Sequence, residues 1–427
     1  TTFPVTNPFF AGALDELLAR PGEVFRGPYV SLKPPFQPST GARGFFPGVV
    51  PEWFRAFLHQ EQAWERLDWR AARNTIVATG TGSGKTECFL YPILDYCLEQ
   101  RNQRGVKAIL IYPMNALASD QAGRIAEAIF ASKNLRGRVT AGLYVGEQDE
   151  ARQVGMSESH IITDKATMRR LPPDILLTNY KMLDYLLLRP DDFGLWSQNG
   201  PETLRYLVID ELHTFDGAQG ADVACLIRRL KARLKTPERH LICVGTSATL
   251  GGGAEAESRR VLTDYATRVF GEPFEADAVV GESVQSPEQF LRGDRLLYAG
   301  IPGPETADVL DPLQYESPKD YEEAQQRLWF GASAAQVESD AWRLELGRQL
   351  RGHSLFRRMI ALTAEGAKEV GQLVERIAAT VPGMAESDRR YLELVLTSFL
   401  SLISAARVES ARGVQPLLQV RYQFWMR

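Results

Sequence analysis

The feature that most constrains the fold of this sequence is a short apolar run that leads directly into a glycine-rich loop. The run NTIVAT (74–79) continues into GTGSGKT, so that residues 79–86 read TGTGSGKT. Closely spaced glycines let a backbone approach phosphate groups, and a helix that starts after such a loop directs its free N–H groups at an anion. The arrangement predicts a phosphate-binding loop between a strand and a helix. One departure is Thr79, which stands where the general pattern has its first glycine.

Apolar runs alternate with helical patterns from about residue 51 onward. Continuous apolar strands separated by helices predict an α/β fold, with a parallel sheet that carries helices on both faces. The six runs are NTIVAT (74–79), VKAILIY (106–112), RVTAGLY (138–144), DILLT (174–178), LRYLVID (204–210) and HLICVGT (240–246).

The length of 427 residues suits two or three domains rather than one. Residues 1–50 are rich in Pro, Gly and Phe and are interpreted as an extended leader. Residues 51–275 carry the alternating pattern. Residues 276–427 are interpreted as a mainly helical accessory region, with a loop-like stretch at 280–320 and helical patterns through most of 318–410.

Bulk properties exclude little beyond a membrane protein. The net charge of −4 does not decide for or against a nucleic-acid partner, because a local basic groove can coexist with an acidic total. No run of 18 apolar residues is present, so no membrane span is expected. The four cysteines form no CxxC pair, which predicts reduced core thiols of a cytoplasmic protein and no zinc site.

A second chemistry-bearing stretch is the acidic pair at the end of LRYLVID. In phosphoryl-transfer enzymes with a phosphate-binding loop, an acidic residue at the end of a neighbouring strand holds Mg²⁺ together with the loop hydroxyl. Asp210 and Thr86 fit these roles, Lys85 is expected to reach the β- and γ-phosphates of ATP, and Glu211 can accept the proton of the attacking water. The alternative is an acidic pair that only caps the next helix.

Taken together, TGTGSGKTE, DELH and TSATL (246–250) resemble superfamily 2 helicases of the DEAD/DEAH-box type. YPMNALASDQ (112–121) and LLTNYKMLDYLL (176–187) are similar to the nucleic-acid motifs of that family. FLHQEQAWERL resembles its adenine-reading segment, in which Gln60 is the expected base contact and Gln62 the alternative. The resemblance implies a RecA-like fold with ATP and Mg²⁺ as cofactors.

Longer sequence segments, including GPYVSLKPPF and QPLLQVRYQFWMR, restrict the resemblance to one subgroup of these helicases. They are similar to large bacterial helicases with a C-terminal zinc-binding cysteine cluster. That group includes MrfA-like repair helicases and helicase components of the DISARM and Druantia anti-phage systems. The resemblance implies a DNA partner, either single-stranded or a duplex with a single-stranded tail, and allows protein partners of a defence system.

The resemblance also implies roles for individual residues. A turn or capping role is the alternative for Asn115 and Asn179, and a core hydrogen bond is the alternative for His213. The nucleotide-binding set is Gln60, Thr79, Gly80, Thr81, Gly82, Ser83, Gly84, Lys85 and Thr86. The set that couples ATP to nucleic acid is His213, Ser247, Ala248 and Thr249, and the nucleic-acid set is Pro113, Asn115, Ala116, Thr178 and Asn179.

A helicase of this type needs a second RecA-like lobe with an arginine finger. GRQLR (347–351) lies inside a helical pattern and is not that finger. The expectation is therefore a first motor lobe, with the second lobe outside this sequence and weak ATP hydrolysis by this chain alone. An ATP-controlled binding switch without unwinding, and a translocase associated with a nuclease, are the alternatives. RRLKAR (228–233) is interpreted as a solvated basic helix face, with phosphate contact as its alternative.

Overall fold

A computed structural model describes residues 25–39, 41, 44–80, 82–146, 152–248, 255–331, 339–364, 366–380, 388–410 and 413–426. The chain divides into two units. One unit is continuous and runs from Phe36 to Ser283, and the other combines the chain up to Pro35 with the chain from Val284 onward.

Strands and helices alternate through the first unit, whereas the second is mostly helical. The strands of the described residues are β1 (Phe25–Lys33), β2 (Thr75–Ala78), β3 (Ala108–Tyr112), β4 (Ala141–Tyr144), β5 (Ile175–Asn179), β6 (Tyr206–Ile209), β7 (Ile242–Ser247), β8 (Val279–Gly281), β9 (Lys368–Glu369), β10 (Arg407–Ser410), β11 (Gly413–Pro416) and β12 (Gln419–Met426). The α-helices of the described residues are α1 (Leu58–Leu67), α2 (Lys85–Glu99), α3 (Asn115–Ala131), α4 (Lys165–Arg170), α5 (Tyr180–Leu188), α6 (Gly217–Leu234), α7 (Glu255–Phe270), α8 (Pro287–Phe290), α9 (Ala307–Leu310), α10 (Pro318–Phe330), α11 (Asp340–Arg351), α12 (Ser354–Thr363), α13 (Val370–Thr380) and α14 (Arg389–Ala405).

The unit of residues 36–283 is built on a seven-stranded sheet in the order β4-β5-β3-β6-β7-β2-β8. All of its strand pairs are parallel. Every residue of the central strand β3 is buried, as expected for a strand that is covered on both faces. The predicted α/β fold, a parallel sheet with helices on both faces, is confirmed, and each of the six predicted strands lies in this sheet.

Two hydrophobic cores cover the two faces of the sheet. Alternate residues of one strand face opposite sides, so Ile109 and Ile111 enter one core while Leu110 enters the other. The first core includes residues of α5, α6 and α7, and the second includes residues of α1, α2 and α3. Because all strands run the same way, their carboxyl ends meet at one edge of the sheet, where α/β proteins bind ligands.

The predicted start of the accessory region at residue 276 would separate the edge strand β8 from the rest of this sheet. The loop-like interpretation of residues from 280 is wrong at its beginning, because Val279–Gly281 forms the edge strand β8 beside β2. Three residues give too short a signal for periodicity to reveal. The sheet therefore extends past residue 275.

The other unit packs its helices around a separate core that includes Trp342, Phe356 and Phe399. The predicted helical character of residues 318–410 is confirmed by α10 to α14. The predicted leader of residues 1–50 belongs to both units, because the units meet at Pro35 and Phe36 in the sequence. Its segment Phe25–Lys33 forms a strand that pairs antiparallel with Gln419–Met426 in this unit. Pairing between segments so far apart in the chain has no local signal.

Two further expectations concern the surface. No helix among the described residues has the length and apolar character needed to cross a membrane. Cys88, Cys97 and Cys243 are buried as predicted, whereas Cys225 is exposed, so the interpretation of all four cysteines as core thiols is wrong at that position. Cys225 lies on α6, where helical periodicity turns it away from the buried face.

Candidate functional site

The glycine-rich loop joins β2 to α2 at the carboxyl edge of the sheet. Gly82 and Gly84 have positive φ angles of 78° and 76°, which residues with a β-carbon rarely adopt. The Ser83 hydroxyl lies 2.7 Å from both Thr79 Oγ1 and the Gly80 carbonyl oxygen, and it is buried with Thr79. Thr79 therefore anchors the loop at the position where the general pattern has a glycine. Thr81 lies outside the described residues.

Helix α1 holds this loop from one side. Gln60 Nε2 donates to the Gly84 carbonyl at 3.0 Å, while Gln60 Oε1 accepts from the Phe57 N–H at 2.9 Å. His59 Nε2 lies 2.8 Å from the Ser83 carbonyl oxygen. Gln60 is buried against the loop and Gln62 is exposed, so the structure brings the first of the two candidate glutamines to the site.

The two polar side chains that open α2 each have a partner. Lys85 Nζ lies 2.9 Å from Glu211 Oε1, and both side chains are largely shielded from solvent. Thr86 Oγ1 donates to Gln121 Oε1 of α3 at 2.8 Å. Because that bond uses the hydroxyl proton, the lone pairs of the Thr86 oxygen remain available for a cation.

The acidic pair follows β6, which lies beside β3 and β7. Asp210 Oδ1 accepts a hydrogen bond from the Thr246 hydroxyl, and the Glu211 N–H donates to the same Thr246 oxygen at 3.0 Å. Glu211 has a positive φ of 49°, a conformation that is uncommon without glycine and concentrates at functional sites. Thr246 therefore holds the Asp210 carboxylate and the Glu211 backbone at the sheet edge.

Burial raises the pKa of the Asp210 carboxyl above its ordinary value, and the Glu211 carboxylate adds to the rise. The hydrogen bond from Thr246 and the positive charge of Lys85 oppose it. A cation placed against Asp210 would favour its ionised form, as expected for a carboxylate that ligates a metal. Among the described residues, no group of three or more His, Cys, Asp or Glu side chains is arranged to hold a metal by itself.

The predicted coupling residues form a chain of contacts that starts at Glu211. His213 Nδ1 lies 3.4 Å from Glu211 Oε2 and 3.2 Å from the Ser247 hydroxyl oxygen. The His213 side chain is 44% exposed, which does not fit the alternative of a core hydrogen bond. Ala248 is exposed next to Ser247, and Thr249 lies outside the described residues.

The predicted nucleic-acid residues lie at the same edge, after β3 and β5. Asn179 Nδ2 donates to Asn115 Oδ1 at 2.6 Å, and Asn179 Oδ1 caps α5 by accepting from the Met182 N–H at 2.7 Å. Asn179 therefore performs the capping role that was its alternative and contacts Asn115 as well. Pro113 is partly buried, and Asn115 and Ala116 are exposed.

Thr178 does not face this surface. Its side chain is fully buried, and its hydroxyl donates to the Tyr144 carbonyl oxygen at 2.7 Å. No phosphodiester contact is available to that hydroxyl in this arrangement. The strand register decides the outcome, since neighbouring residues of β5 point to opposite faces.

Sequence reasoning missed two residues of the site. Thr246 precedes the predicted Ser247 and bonds Asp210 and Glu211. Gln121 ends the segment YPMNALASDQ and contacts the hydroxyl of Thr86. The sequence signal for Gln121 was its place at the end of that segment, because residues 115 and 121 do not share a face of α3.

Comparison with known proteins finds similarity to helicases. Residues 57–256 match the family model of the DEAD/DEAH box helicases. The Druantia protein DruE of Escherichia coli (strain UMEA 4076-1) is 31% identical, and the match covers 48% of this chain and 16% of that protein. An uncharacterised ATP-dependent helicase of Methanocaldococcus jannaschii is 32% identical over 46% of this chain and 26% of its own length. The matches thus span less than a third of either relative.

Among solved structures, the DUF1998 helicase MrfA bound to DNA is similar to this chain with a TM-score of 0.44 and 19% identity. That similarity covers 80% of this chain and 47% of the MrfA chain.

Proposed function

We propose that this chain supplies the first RecA-like motor lobe of an ATP-dependent DNA helicase or translocase, because residues 57–256 match the family model of the DEAD/DEAH box helicases. The observation that carries the proposal is the convergence of the glycine-rich loop, Lys85, Asp210 and Glu211 at one edge of one parallel sheet. In this proposal the lobe includes residues 51–275 and the strand β8. The helical unit is an accessory region, and a second lobe completes the ATP site.

ATP binding is assigned to the loop and its neighbours. The N–H groups of Gly80 and of residues 82–86 would bind the phosphates, Lys85 would exchange Glu211 for the β- and γ-phosphates, and Gln60 would contact the base. Thr86 and Asp210 would hold Mg²⁺, since both present hard oxygen donors with lone pairs that their hydrogen bonds leave available. When bound, the ion neutralises charge that develops on the phosphates.

Hydrolysis is assigned to Glu211. Its carboxylate orients the attacking water and accepts the proton. His213 lies against the second oxygen of that carboxylate and contacts Ser247, so it relays the position of Glu211 to the segment after β7. An arginine from the second lobe would stabilise the charge on the transferred phosphoryl group.

Nucleic-acid binding is assigned to the surface formed by Pro113, Asn115, Ala116 and Asn179. Small polar groups and the first turns of α3 and α5 can contact phosphates without reading a base sequence. Thr178 would act from within, by holding the strand end that carries Asn179. The similarity to a Druantia protein supports a role of the complete protein in anti-phage defence, and DNA repair is the second pathway of this proposal.

The test is ATP binding and hydrolysis by the chain of 427 residues, with and without single-stranded DNA or RNA. We expect this chain to bind ATP and Lys85→Ala to abolish that binding. ATP hydrolysis by this chain alone should be slow, and it should become faster with DNA once a second lobe is supplied. Absence of nucleotide binding would overturn the proposal. Binding of ATP and DNA with no turnover, even with a second lobe present, would instead identify an ATP-controlled switch.

A further inference from the structure

An exposed apolar strip continues from the end of the sheet along helix α5. Tyr185 and Leu188 of α5 are 46% and 59% exposed, and Phe193 in the following 3₁₀ turn (Pro190–Trp196) is 37% exposed. The opposite side of α5 is buried in the core through Leu183, Leu186 and Leu187. Large apolar side chains grouped on a surface indicate an interaction site rather than random exposure.

Arginine side chains lie over the two exposed rings. The guanidinium carbon of Arg189 is 4.2 Å from the Tyr185 ring centre, and that of Arg233 in α6 is 4.1 Å from the Phe193 ring centre. A guanidinium stacked on an aromatic ring keeps its N–H groups directed sideways, where they can bind phosphate. The surface therefore combines planar groups with cationic groups in alternation.

The charge of this surface is predominantly positive. Asp184 is neutralised by Arg229 at 2.5 Å, and the buried Asp192 is paired with Arg169 at 2.7 Å. No ion pair joins Arg189 or Arg233 to a carboxylate within the described part of the chain. Asp191 is the exposed acidic residue of the 3₁₀ turn. An anionic partner thus finds cations that internal carboxylates have not already neutralised.

The same helix begins at the predicted nucleic-acid surface. Asn179 caps α5 and contacts Asn115. Lys181 and Tyr185 lie four residues apart on one face of α5, and Arg189, which follows the helix with an extended backbone, lies over the Tyr185 ring. The nine residues of α5 at 1.5 Å each carry this face about 14 Å away from the sheet edge.

We propose that this surface, the α5 track, binds the continuation of a single-stranded nucleic acid that leaves the edge at Asn115 and Asn179. The α5 track consists of Lys181, Tyr185, Leu188, Arg189, Phe193 and Arg233. Bases stack on Tyr185 and Phe193 with their arginines, and phosphates pair with the outward N–H groups. This inference rests on the proposed nucleic-acid motor. The alternation of rings and cations favours nucleic acid over an acidic protein, because every base has a face that stacks.

The test measures how affinity depends on strand length. The full chain is titrated against fluorescent oligothymidylates from about 4 to about 20 nucleotides at one salt concentration, with anisotropy as the readout. We expect the native chain to bind longer strands more tightly. The Tyr185→Ala and Phe193→Ala double variant should lose about 10- to 100-fold in affinity for the long strands and nothing for the shortest.

Matched variants separate stacking from charge and from damage to the fold. Tyr185→Phe keeps the ring and should bind as the native chain does. Arg189→Ala combined with Arg233→Ala should weaken long-strand binding and lower its salt dependence. Tyr422→Ala and Arg348→Ala remove an exposed ring and an exposed cation from the other unit and should change nothing.

Two results would overturn the inference, and they differ in what else they affect. If the native chain gains affinity with length and the track variants follow the same curve, the α5 track does not bind the strand, whereas the motor proposal stands. If the native chain binds no oligonucleotide of any length, the proposed nucleic-acid function fails and the α5 track fails with it.

Discussion

Lys85 Nζ lies 2.9 Å from Glu211 Oε1, so the cation expected to bind phosphate is paired with the carboxylate expected to activate water. The two side chains come from different elements, 126 positions apart in the sequence. In the proposed function, a nucleotide competes with Glu211 for Lys85, and its binding would free Glu211 to orient water. One ion pair would then link nucleotide binding to assembly of the hydrolytic group.

Replacement of Glu211 by glutamine tests this link. Glu211→Gln removes the competing charge, so the Kd for ATP should stay constant or fall, while kcat should fall by about 100- to 10,000-fold because the general base is lost. Fluorescent-nucleotide titration and steady-state hydrolysis measure the two effects in the chain supplied with the proposed second lobe. Glu238→Gln, at an exposed position, is the control. A parallel loss of ATP affinity would show that Glu211 mainly maintains the fold of the loop.

The close approach of Gln60 to Gly84 predicts that a methyl group added at Gly84 strongly weakens ATP binding. Gly84→Ala places a β-carbon at a φ of +76° and into the position of Gln60 Nε2, so we expect loss of ATP binding. Gly137→Ala is a matched control, because Gly137 has a φ of +73° and open space around it. Both variants should lose about 1–2 kcal/mol of folding free energy, because alanine is strained in the left-handed backbone conformation. Equal ATP affinity in the two would contradict a role of the Gln60 contact.

The bond between Thr86 and Gln121 predicts a positioning role for Gln121. Gln121→Leu leaves the Thr86 hydroxyl free to rotate, so hydrolysis should need a severalfold higher Mg²⁺ concentration, while Gln121→Glu keeps an acceptor and should restore the native requirement. A Mg²⁺ titration of ATP hydrolysis makes the comparison. Gln62→Leu, at an exposed position of α1, should be neutral. An unchanged requirement in Gln121→Leu would refute the positioning role.

The raised pKa of Asp210 predicts how stability depends on pH. Protonation is more favourable in the folded than in the unfolded chain, so Asp210 lowers the free energy of unfolding as the pH rises from 3.8 through the folded-state pKa. Asp210→Asn removes this loss and should raise the free energy of unfolding at pH 7. The gain should shrink as the pH is lowered.

Thermal unfolding between pH 4 and pH 8 follows the effect of Asp210→Asn. Asp222→Asn, at an exposed position of α6, is the control and should leave the Tm unchanged. A variant that is less stable than the native chain at pH 7 would show that the contacts of Asp210 with Thr246 and Lys85 outweigh its burial.

The sequence by itself determined the sheet and the identity of the chemical groups at its edge. Apolar runs are local signals, and six of the seven strands were predictable from them because a buried parallel strand needs side chains that are apolar on both faces. The glycine loop and the acidic pair were equally local, since each occupies consecutive residues after a strand. Parallel strands then required that these groups meet at one edge.

Only the tertiary structure decided which side chains meet. It selected Gln60 over Gln62, buried Thr178, brought Gln121 to Thr86 and paired Phe25–Lys33 with Gln419–Met426. Each of these outcomes depends on the position of an element that is distant in sequence, or on the face that one residue presents. Periodicity cannot carry that information, because register and long-range pairing are fixed by packing between elements and not within them.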